Sequence, residues 1–231
     1  MTVYGNRHRS GLTPDIRNPQ PKQDVMPRRM IAVVVGILFL VQMVTAMIGT
    51  SLIQAFVDGD TARAPMTIGL LFMMGSGLAV VGIGLLMYPV LKVVNQRLAI
   101  WYPILRIVEF IVSTAFGVYL LAQLQVVPNH LLWTYVPTGL GGLLLTYLLY
   151  VSRLVPRPIA VLGLLGYALV SLGVPLGLVG VLDTNKGAGL ALLAPGGLFE
   201  VVCMPIWLIA KGFNPPTSEQ QLIAPTLATT S

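Results

Sequence analysis

Arg106, Glu109 and Glu200 are ionisable residues set inside long apolar runs of this 231-residue chain. A charge near the centre of a membrane helix costs about 2.5 to 3.5 kcal/mol, and each Leu, Ile, Phe or Val returns about 0.3 to 0.6. Between Leu98 and Leu124 there are 14 such apolar residues. Their gain of roughly 4 to 8 kcal/mol is nearly matched by the roughly 5 to 7 that Arg106 and Glu109 cost, so these charges need partners. Arg106 and Glu109 are three apart and share a helix face that continues through Ser113 to Gly117. Two carboxylates sharing one guanidinium have two uses. One acid can serve as a proton acceptor in a carrier or as an acid/base in a membrane enzyme. Alternatively, the cluster is a buried ion network that fixes helix register.

The elements that must hold these residues are six hydrophobic runs, near Met30–Gln54, Pro65–Leu91, Leu98–Leu124, Leu131–Val151, Ile159–Leu182 and Leu190–Ala210. Each is close to the ~20 residues that cross ~30 Å of hydrocarbon. The composition agrees: 55% of residues are hydrophobic and 10% charged, against about 25% charged in a soluble domain. The runs are Leu-rich without strand-like alternation, which predicts helices rather than a barrel. The expectation is an all-α polytopic membrane protein, six transmembrane helices in one bundle at 30–211. Polar tails at 1–29 and 212–231 are expected to be disordered. The first run is longer than a signal peptide's apolar core and has no A-x-A site after it, so it reads as a retained span.

Depth along the helices groups the polar residues. Counted from Leu98, Glu109 lies about 16 Å in, and Glu200 lies about as deep when counted back from Lys211. Gln42 of the first run, at about 18 Å, can join them as a partner. If the third and sixth helices are neighbours, Arg106 can bridge both carboxylates.

Lys and Arg set the threading. Arg7, Arg9, Arg17, Lys22, Arg28, Arg29, Lys92, Arg97, Arg153, Arg157 and Lys211 fall on one side of a six-span chain, and Arg63 and Lys186 on the other. The positive-inside rule then predicts that both termini are cytoplasmic. The net charge of +6 is this topogenic charge and calls for no nucleic acid. Tyr88, Trp101, Tyr102, Tyr147, Tyr150 and Trp207 fall near that interface.

Other chemistry has little to stand on. There is no P-loop signature and no H-E-x-x-H. His8 and His130 lie outside the spans, so no histidine is placed to activate Ser76 or to hold haem in the bundle. A single Cys203 makes no disulfide or thiolate metal site. No cofactor and no metal are expected. Gly75, Ala79, Gly82 and Gly173, Gly177, Gly180 read as small-residue packing faces. Pro137, Pro175 and Pro205 are expected to kink their spans.

Several stretches together carry a resemblance. They are Tyr88 to Asn95 (YPVLKVVN), Arg106 to Glu109 (RIVE), Leu148 to Tyr150 with Arg153 to Arg157 (RLVPR), Ile159 to Tyr167 (IAVLGLLGY), Leu198 to Glu200, and Trp207 to Phe213 (WLIAKGF). From about Met30 to Phe213 the chain resembles a bacterial membrane family known as domain of unknown function 4386. The resemblance implies a topology, a bacterial cytoplasmic membrane and a place for Arg106, Glu109 and Glu200 among the family's motifs, with no activity attached. Three functional expectations follow, in order. The first is an accessory or scaffolding membrane protein, a subunit joined to a membrane-protein partner or to a second copy of itself. The second is a small transporter or proton-coupled carrier using its embedded carboxylates. The third is a membrane enzyme acting on a lipid.

Overall fold

Apolar runs that lack water must close every backbone hydrogen bond within themselves, and this chain does so with helices. The computed structural model describes residues 26–57, 63–123, 130–181 and 187–215. Among them there is no strand. The helices are α1 (Arg28–Val57), α2 (Arg63–Leu91), α3 (Gln96–Ala99), α4 (Trp101–Gln123), α5 (His130–Ser152), α6 (Arg157–Leu178), α7 (Gly187–Leu198) and α8 (Met204–Ala210). A π turn at Phe199–Cys203 joins α7 to α8. Six spans are long and apolar enough to cross a membrane: α1, α2, α3 with α4, α5, α6, and α7 through α8. Their outward faces carry Ile37, Val44, Leu71, Leu85, Ile111, Leu165 and Leu172 largely uncovered, a surface suited to hydrocarbon rather than water.

Each span packs on the next in sequence, and the sixth returns to the first. The result is a closed ring in which spans three and six stand on opposite sides. Small residues set the closest crossings. A Cβ on Gly49 would lie 2.8 Å from the carbonyl oxygen of Gly69, one on Gly84 3.1 Å from Cα of Pro103, and one on Gly166 2.5 Å from Cα of Gly196. These are not the glycines expected from spacing. Gly75 has nothing within 4 Å and Gly82 meets only Leu38. Gly180 lies beyond α6 at φ +74°. There it terminates the helix: its N–H donates to the Gly177 carbonyl and that of Val181 to Leu176, a Schellman pair that ends α6 four residues before Leu182.

The basic end of the ring is pinned. Arg29 donates to the carbonyls of Leu208, Ile209 and Ala210, the last turn of α8 that would otherwise lack donors. Asn214 donates through its backbone to Leu154 (2.8 Å) and through its side chain to Arg153 (3.0 Å). Residues 212–215 are therefore docked on the α5–α6 turn, where disorder was expected. The remaining tail residues, 1–25 and 216–231, lie outside the described residues. Beneath this end sits a core that includes Ile31, Leu91, Tyr102, Leu149, Val155 and Leu208.

Pro205 does more than kink its span. Its ring clashes with the carbonyl four residues back and its nitrogen donates nothing. The wider π turn just before it, closed by the Met204 N–H to the Phe199 carbonyl, accommodates that clash. Glu200 sits inside this turn.

Candidate functional site

The interior face of α4 carries Tyr102, Arg106, Glu109, Ser113 and Gly117, spaced three and four residues apart as one helix face requires. Arg106 is buried and lies where α2 and α5 present glycines. A Cβ on Gly84 would come 3.2 Å from Cβ of Arg106, and one on Gly141 would come 3.6 Å from its Nε. A side chain at position 84 would press on the arginine, whereas a Cβ at position 141 would meet it in ordinary contact. Its Nη1 donates to Oε2 of Glu109 at 2.6 Å. Its guanidinium carbon stands 5.2 Å from the centroid of the Tyr102 ring, a cation–π contact in a dry setting. Arg106 Nε and the Tyr102 hydroxyl are both buried without a hydrogen-bond partner.

Glu200 belongs to a second group. Gln42 of α1 donates to its Oε2 at 3.0 Å, and the Tyr167 hydroxyl of α6 donates to its Oε1. Ser76 of α2 donates to the Gln42 carbonyl. One carboxylate thus ties the first, fifth and sixth spans, with the second attached through Ser76. Tyr167 is held edge-on against Phe199, ring centroids 6.1 Å apart, and its ring fills the space left by Gly142. Through this bond Ser76 joins α2 to α1.

By hydrogen bonding the four residues singled out from the sequence fall into two groups, Gln42 with Glu200 and Arg106 with Glu109, while Arg106 still lies near enough to Glu200 to act on it through charge. Among the described ion pairs, Arg106 meets Glu109 and does not reach Glu200. The physical reason is the ring: spans three and six are not neighbours, so the guanidinium satisfies the carboxylate on its own helix. Sequence reasoning missed Tyr102 and Tyr167. Tyr102 is one turn from Arg106 on the same face. Tyr167, ten residues past Arg157, lies about 15 Å deep, the depth that grouped Glu109 and Glu200.

Between the ends of the first four spans away from the basic end lies a cavity of ≈ 50 Å³. Thr50 and Gln54 of α1, Met73 of α2, Ser113 and Gly117 of α4 and Thr134 of α5 line it. Ile53, Leu70, Phe116 and Leu120 complete a wall that is mainly apolar and has no charged side chain.

The knot at Glu200 has a measurable weight. Glu200→Ala would leave the Gln42 amide and the Tyr167 hydroxyl buried without an acceptor, and is expected to cost about 1–3 kcal/mol. Glu200→Gln keeps one acceptor and should cost less than half of that. Thermal unfolding in detergent distinguishes them; equal stability of the Ala variant and the parent would show that the knot holds nothing.

Six apolar spans in a closed ring define an all-helical, multi-pass integral membrane protein. Within that class the chain belongs to the family described as "Domain of unknown function (DUF4386)", whose model matches residues 34–130 and 117–212. No curated protein and no solved structure matches the chain.

Proposed function

We propose that this is an accessory or scaffolding membrane protein, a subunit of a membrane complex, whose Arg106, Glu109, Glu200 and Gln42 are structural. The observation that carries this reading is the coverage of the third span. In its most apolar stretch 11% of residues are buried by the chain itself, against 28–44% in the other five spans. Ile104, Ile107, Val108, Ile111 and Val118 form its outward face, a surface on which a partner helix can seat. The Glu200 knot supports the same reading, since both carboxylate oxygens are engaged in holding helices together.

The reading includes the threading expected from charge. The end where Arg29 and Arg153 are pinned faces the cytoplasm of a bacterial cell, with both termini on that side of the inner membrane. Native mass spectrometry of the protein extracted from its own membrane in mild detergent tests it. A stoichiometric protein companion, or a defined homo-oligomer, is expected; a lone chain carrying only a retained small molecule would overturn it.

The carrier reading has one observation in its favour. Arg106 and Glu109 lie on one helix, so their pair fixes no register between helices, and Glu109 is not sealed off as Arg106 is: their side chains are 14% and 4% exposed.

A further inference from the structure

We propose that the basic end of the bundle holds the phosphate headgroup of an anionic phospholipid, gripped by Lys211, Arg153 and Arg157. The inference does not rest on the subunit reading, nor on which leaflet this end faces, since headgroups lie at each surface of a bilayer. Three observations carry it. The first is positive charge that the chain leaves uncompensated. Lys211, Arg153 and Arg157 are exposed. Among the described residues the acids are Glu109 and Glu200, both on the spans and away from this end, and the one ion pair is Arg106 with Glu109. No described carboxylate therefore pairs with these cations, and a lipid phosphate is the anion that a membrane surface offers in its place.

The second observation is convergence. Residues 211–214 form a strap across this end of the bundle. It begins beside α1, where a Cβ on Gly212 would lie 3.0 Å from Nη1 of Arg29. Phe213 packs against the core, and Asn214 closes the strap on the carbonyls of Leu154 and Arg153. Lys211 and Asn214 are three residues apart, at most about 11 Å along the chain. The strap thus holds Lys211 within reach of the turn that carries Arg153 and Arg157, with the charge of Arg29 behind it.

The third observation is how the two arginines are set. Arg153 has φ +55°, a left-handed conformation that glycine adopts freely and other residues adopt at a cost. Strained residues of this kind cluster at ligand clamps. The guanidinium carbon of Arg157 stands 5.8 Å from the centroid of the Tyr150 ring. Tyrosines at a span end sit at the level of the headgroups, so this cation is presented at the height of lipid phosphates. Each guanidinium can offer two parallel N–H donors to phosphate oxygens, and Lys211 adds a point charge.

Native mass spectrometry of the full chain in detergent, titrated with phosphatidylglycerol and separately with phosphatidylcholine, resolves single bound lipids and tests this. The first phosphatidylglycerol is expected to bind at least about tenfold more tightly than the first phosphatidylcholine. One cation contributes roughly fivefold to such binding, so Arg153→Gln combined with Lys211→Gln should weaken phosphatidylglycerol at least about tenfold. Lys92→Gln combined with Arg97→Gln removes the same charge from the connection between α2 and α4, outside the strap, and should weaken it less than about threefold. Equal losses in the two double variants would reveal general surface attraction and overturn the site, as would equal affinity for the two lipids. Displacement of phosphatidylglycerol by an equal concentration of inorganic phosphate would assign the cations to free phosphate and overturn the lipid. Should Arg153→Gln disturb the turn, Lys211→Gln combined with Arg157→Gln leaves the strained residue in place. Full phosphatidylglycerol affinity in that variant would overturn the proposal.

Discussion

Arg106→Met is expected to destabilise the folded bundle by about 3–5 kcal/mol, the penalty for leaving a buried charge unpaired. The variant keeps the length and most of the volume that Gly84 and Gly141 accommodate, so packing alone does not predict a loss of this size. What it removes is the donor 2.6 Å from Glu109 and the cation over the Tyr102 ring. Glu109 then faces the interior with no cation paired to it. Combining Arg106→Met with Glu109→Leu removes both charges and should restore most of the stability, since replacing a whole buried pair by apolar residues is often neutral. Equilibrium unfolding of the two single variants and the double variant measures the coupling. If the double variant were as unstable as the sum of the singles, the pair would not be the unit described above.

The second large effect is expected at Gly166. A Cβ there would lie 2.5 Å from both Cα and N of Gly196 and 3.0 Å from the carbonyl carbon of Pro195. All three are backbone atoms, so no side chain can swing away, and Gly166→Ala must push α6 and α7 apart. Overpacking of this kind costs about 1–3 kcal/mol and at times more. The displacement acts directly on the Glu200 knot, because α6 carries Tyr167 and the π turn after α7 carries Glu200. Gly75→Ala is the control. It meets nothing within 4 Å and should gain up to about 1 kcal/mol from helix propensity. Folded yield and melting temperature in detergent would separate them; similar values for both would contradict the close approach.

Much of the fold was readable from residue types. Hydrophobic run length identified six spans because hydrocarbon thickness fixes helix length. Depth along each helix placed Gln42 beside Glu200 for the same reason. Which helices touch was not readable, since apolar faces in lipid carry no inside-outside signal. That is why Arg106 was assigned to both carboxylates, and why Gly75 and Gly180 were read as packing residues while Gly166 was not. Short polar devices also escaped notice. Asn214, which pins residues 212–215 to the α5–α6 turn, looks like any tail residue until its partner is known. The π turn is a response of the backbone to Pro205, and no periodicity in the side chains announces it.

Site-specific photo-crosslinking from Ile111 is the most direct test of the subunit reading. Ile111 is 58% exposed on the outward face of the least-covered span. With a photoreactive amino acid at this position in native membranes, the account predicts one discrete protein adduct, while the same group at Leu165 on the fifth span gives none. Adducts with lipid alone at both positions would contradict the claim that the third span is a docking face.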